Sequence, residues 1–154
     1  MRSLILLSLL VCSHAFAGEF VAKKLEFSFI GDDMGNRIYY RCESVKKLVE
    51  NHLLALGASS PQVKCYGGLE DYARSPYWAP LSISARFDAP VPTENSAREV
   101  VVLDSKRLIH EDCFLNLTFL KNTIPLFPGV KVLKKSNSCL HNNSRWSYTV
   151  EVIK

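Results

Sequence analysis

Polar and apolar positions change period several times along the chain. Residues 25–30 ("LEFSFI") and 37–42 ("RIYYRC") are alternating or aromatic-rich runs separated by the turn formers "GDDMGN", which predicts a β-hairpin. From Ser44 the apolar residues Val45, Leu48, Val49, Leu53 and Leu56, together with His52, recur at helical spacing, with Lys46, Lys47, Glu50 and Asn51 largely opposite. Ser44 is the expected N-cap and Gly57 the expected C-terminal stop. "QVKCY" then reads as a strand closed by Gly67 and Gly68, and "LSISARFDA" alternates Leu81, Ile83, Ala85 and Phe87 against Ser82, Ser84, Arg86 and Asp88, a strand with one wet face.

The second half follows the same order. "EVVVLDSKRLI" carries a strand, and Asp112 can cap a helix on which Cys113, Leu117, Leu120 and Ile124 line one side until Pro125 ends or kinks it. "VKVLKKSNSC" and "RWSYTVEVI" are strands joined by "LHNN". Strand, Cys42, helix, Gly57, strand, Cys65 is thus echoed by strand, Cys113, helix, Gly129, strand, Cys139. This order predicts an α+β fold built as a pseudo-duplicated βαβ: a two-layer sandwich with two helices on one face of a mostly antiparallel sheet, ferredoxin-like or a variant.

The first residues change the picture. "MRSLILLSLLVCSHAFA" places Arg2 before an apolar run and then Ala15-Phe16-Ala17, the pattern of a secretory signal with a small-x-small cleavage site, residues 1–17. The run is too short to span a bilayer. The expected product is one disulfide-braced domain over residues 18–154, periplasmic or secreted. Lipidation at Cys12 is the weaker alternative, because Val11 is a poor neighbour for a lipidated cysteine.

Loss of the leader also removes Cys12, leaving Cys42, Cys65, Cys113 and Cys139. An even number of cysteines in an exported chain points to disulfides. Three connectivities are open; the repeated order favours Cys42–Cys65 and Cys113–Cys139, provided that adjacent strands or a loop bring each pair of Cα atoms within about 7 Å.

Net charge is modest, +4 for the whole chain, and spread out. Nothing resembles the dense basic arm of a nucleic-acid-binding protein, and no nucleic-acid partner is expected. Hydrophobic content of 47% excludes a disordered tail.

Candidate chemistry is sparse. "YARSPYWAP" gathers Tyr72, Arg74, Tyr77 and Trp78, residue types enriched at interaction hot spots, on a loop stiffened by prolines. The competing reading is that Trp78 packs over one end of the sheet. His110, Glu111 and Asp112, completed by His141, are the candidates for a metal or acid–base cluster; the simpler reading of the first three is a helix N-terminus whose acids cap free N–H groups. His52 reads as a partly buried core histidine. "GDDMGN" lacks the acid a calcium loop needs at its twelfth position, and no nucleophile elbow, zinc-protease motif or phosphate loop occurs. No cofactor or metal is expected. Asn116 and Asn142 open glycosylation sequons.

Two resemblances follow from these motifs. The run from Cys42 through "LGA" to Cys65 is similar to heavy-metal-associated domains, but their Cys-x-x-Cys is absent, since Val45 stands three after Cys42. "YYRC", "LGA", "VKCYGG" and "EDCFL" resemble a group of small exported bacterial proteins, which implies an envelope location and no particular catalysis. The expected function is non-enzymatic binding to a protein or other envelope component. The alternative is a small hydrolase, metal-dependent or acid–base, using His110, Glu111, Asp112 and His141.

Overall fold

A computed structural model describes residues 19–33, 36–38, 40–69, 79–104, 113–139 and 145–154. In chain order these form β1 (Phe20–Phe29), β2 (Gly31–Asp33), β3 (Asn36–Ile38), α1 (Cys42–Ala55), β4 (Ser59–Gly68), β5 (Ala79–Pro90), β6 (Arg98–Asp104), α2 (Cys113–Thr123), a 3-10 turn (Ile124–Leu126), β7 (Lys131–Ser138) and β8 (Arg145–Ile153). The class is α+β. The strands that cover the core make two three-stranded antiparallel sheets, β1-β5-β4 and β6-β8-β7, where a single sheet was expected. In both, the strand that opens the unit and the strand that follows the helix flank the last strand. The repeated unit is therefore strand, helix, strand, strand, one strand longer than the βαβ read from the sequence.

The predicted hairpin is corrected by this pairing. β1 runs antiparallel to the distant β5, with Leu25 opposite Ala85 and Phe27 opposite Ile83. Local antiparallel pairing here is confined to the short β2 and β3, with Gly31 opposite Ile38 and Asp33 opposite Asn36. Ten residues of β1 gain far more partner surface along β5 than three-residue β3 can offer.

Helix α1 begins two residues earlier than Ser44. Arg41 is its N-cap, with no side-chain cap, and its carbonyl oxygen accepts N–H groups from Ser44 and Val45 at 3.1 Å. At the other end Gly57 turns at φ +93°, a conformation glycine adopts without strain, and the chain enters β4 directly. An added Cβ there would meet the Ile153 carbonyl oxygen at 2.8 Å, and one at Gly129 would collide with the Ile153 side chain.

Both favoured disulfides are formed. Cys42 joins Cys65 and Cys113 joins Cys139, each with Cα atoms 5.5 Å apart. Each ties the first residue of a helix to the strand that follows, or to the residue just beyond that strand. The geometric condition is met by the helix start reaching over the strand, not by two neighbouring parallel strands.

One buried cluster spans both halves. It includes Leu25, Val49, Leu53, Ile83 and Phe87 from the first and Leu115, Phe119, Trp146 and Val150 from the second. α2 buries Leu115, Asn116, Phe119, Leu120 and Thr123 as well as Cys113, a wider face than the stripe read from the sequence, because it packs on both halves. Phe119 lies 6.1 Å from Phe27 of β1 and 5.1 Å from His52 of α1, and Phe127 stacks on Phe87 at 5.1 Å. Complete burial of Asn116 removes it as a glycan acceptor.

Candidate functional site

Alternation along β1, β5 and β4 turns one set of side chains into the core and the other outward. Register arranges the outward set in rows across the first sheet: Ser28, Ser82 and Tyr66; then Glu26, Ser84 and Lys64; then Lys24, Arg86 and Gln62. Between the rows lies a shallow open depression of about 560 Å³, lined by nine polar, charged or aromatic residues and edges of Ile83. Small-molecule sites are enclosed and mostly apolar; this face is neither, and suits an extended polar ligand.

Its electrostatics are uneven. Lys24 Nζ contacts Glu26 Oε1 at 2.7 Å, an exposed pair that holds the one carboxylate in the depression. Lys64 and Arg86 make no ion pair among the described residues, so the middle of the face carries two uncompensated cations beside hydroxyls of Ser28, Ser82 and Ser84. Tyr66, 59% exposed, offers a ring face at one end. Hydroxyls donate and accept, the cations donate, and the ring supplies apolar contact: a set fitted to a ligand rich in anionic and hydroxyl groups.

A second hollow, of about 250 Å³, lies over the start of α1, lined by Tyr40, Arg41, Ser44, Val45, Leu48, Leu69 and Leu115. The Cys42–Cys65 bond and a Leu69 N–H donated to the Tyr40 carbonyl oxygen at 2.8 Å hold its walls together.

His52 belongs to the core. It is wholly buried, donates from Nδ1 to the Leu48 carbonyl oxygen at 2.9 Å, and stacks on Trp146 at 5.9 Å. Burial drives its pKa down from 6.5 to about 4, against the smaller opposing effect of the Leu48 hydrogen bond, so the ring is neutral near pH 7.

The other residues singled out in the sequence lie outside the described residues: Tyr72, Arg74, Tyr77 and Trp78 in the β4–β5 connection, His110, Glu111 and Asp112 before α2, and His141 before β8. Among the described residues no three His, Cys, Asp or Glu side chains converge as metal ligands, and no helix is long and apolar enough to cross a membrane. Sequence reasoning recognised the wet face of β5 but not the rows. Lys24, Lys64 and Tyr66 join that face only through the β1-β5-β4 order, which no single strand carries. No protein-family model, curated protein or solved structure matches this chain.

Proposed function

We propose that this chain is an exported, non-enzymatic binding domain of the bacterial envelope, and that the outer face of the first sheet holds an anionic, hydroxyl-rich envelope polymer. The observation that carries the reading is the row pattern, which sets Lys64 and Arg86, without an ion pair among the described residues, beside Ser28, Ser82, Ser84 and Tyr66. Export rests on the leader-like residues 1–17, with cleavage after Ala17 and release favoured over lipidation at Cys12; two disulfides fit an oxidising compartment. Tyr72, Arg74, Tyr77 and Trp78, in the sequence between β4 and β5, are the second set of binding residues in this reading, on their residue types alone.

The test is calorimetric titration of the oxidised protein with polygalacturonate, against neutral dextran. Binding to the acidic polymer alone, weakened by salt and lost in Lys64→Glu/Arg86→Glu, supports the reading. Equal affinity of that variant and the parent, or no heat with either polymer, overturns it. Tyr77→Ala/Trp78→Ala is expected to weaken capture while leaving stability unchanged.

A further inference from the structure

Strand β7 is the edge of the second sheet, paired on one side with β8 and, among the described residues, with no strand on the other. Its backbone edge is a template for another strand, a hazard that proteins usually blunt. β4, its counterpart, is blunted thoroughly: it carries Pro61, a register break between Ser59 and Gln62 with Ser60 at φ 49°, a disulfide to α1 at Cys65, and Val63 buried at 6% exposure. β7 is bare. Every side chain from Lys131 to Asn137 is exposed, on both faces, including Val132 at 41% and Leu133 at 47%. Val132 stands opposite fully buried Val150, yet is itself exposed.

Charge selects the occupant. Lys131, Lys134 and Lys135 have no ion pair among the described residues; Glu151, opposite Lys131 in the register, is held by Arg98 at 2.7 Å, and Lys135 lies over the Tyr148 ring at 5.4 Å. Register places Lys134 on the Thr149 side of the sheet and Lys135 on the Tyr148 side, so both faces of the edge are cationic. A second copy pairing antiparallel about Lys134 or Lys135, the middle of the strand, would set that lysine opposite itself, which is unfavourable. An extended segment alternating acidic and apolar residues meets lysines with carboxylates and Val132 and Leu133 with apolar side chains.

We infer that β7 takes an acidic, extended segment of a partner protein as a fourth strand of the second sheet, by strand addition. This surface is separate from the first-sheet face and does not depend on its reading.

The probe is a synthetic peptide of 8 residues, the length of β7, alternating glutamate and valine. Its controls are a lysine–valine peptide and the glutamate–valine peptide N-methylated at alternate residues. Calorimetry measures affinity and hydrogen exchange reads the β7 amides. The parent peptide is expected to bind and slow exchange at residues 131–138; both controls are expected to fail. Lys131→Glu/Lys134→Glu, at exposed positions, should weaken binding about tenfold or more while leaving circular dichroism and the polygalacturonate response of the first sheet unchanged. Binding without β7 protection, equal binding of the N-methylated or lysine–valine peptide, or absence of binding overturns the inference. So does concentration-dependent dimerisation by sedimentation that protects β7 without peptide, which would make the occupant a second copy.

Discussion

The two halves share an order of elements and a disulfide at matching places, but they use their helices differently. α1 drops straight from Leu56 and Gly57 into β4 and lies over it, so the post-helix strand of the first half has a buried side. α2 is followed by the turn Ile124–Leu126 and by Phe127, and its aromatic residue Phe119 reaches β1 and His52 of the first half. β7 is left exposed over residues 131–137. A duplicated unit thus does two jobs: one copy of the helix seals its own sheet, the other joins the halves, and the strand it abandons is free to meet something else.

The largest test of that division is Phe119→Ala. Phe119 is fully buried between the halves, and its truncation is expected to cost about 4 kcal/mol in urea unfolding, through lost burial and the cavity left behind. A loss below about 1 kcal/mol would mean that α2 does not join them.

Next is acid. His52 is neutral when folded down to about pH 4 but charges near 6.5 once unfolded, so the unfolded chain binds the extra proton between those values. Stability from this group is complete above about pH 6.5 and is lost as pH falls toward 4, by about 3 kcal/mol in all. Urea midpoints of the parent and His52→Leu at about pH 7 and about pH 5 should diverge in their pH response, the variant being flatter. Parallel responses would place the histidine in water.

The smallest effect compares the two post-helix strands directly. Val63→Ala on β4 should cost about 2 kcal/mol, whereas Val132→Ala on β7 should stay within about 0.5 kcal/mol of the parent. Similar losses at both sites would show that β7 is covered in solution.

Much of this architecture is legible in the chain, in a graded way. Val45, Leu48, Val49 and Leu53 announce α1 because a helical stripe is a local signal. Its first turn is not legible, because Ser44 is the better cap by residue type, whereas the chain there is tied by a covalent bond from Cys42 to a residue 23 positions later. The sulfur pairing itself follows from parity and repetition. Long-range pairing does not: "GDDMGN" advertises a hairpin to any local reading, and the partner of β1 is more than fifty residues away. The rows of the candidate face were hidden for the same reason. The bareness of β7 has a trace in the sequence, since Lys131, Lys134 and Lys135 interrupt the alternation that β8 keeps.

Gly57 and Gly129 sit at equivalent bends of the two units, yet both abut Ile153, one through its carbonyl oxygen and the other through its side chain. Replacements at these two bends are therefore physically coupled. Whichever glycine is replaced first must shift that isoleucine, and the shift resets the space that the other replacement meets, so the two changes are epistatic although they lie 72 positions apart in the chain.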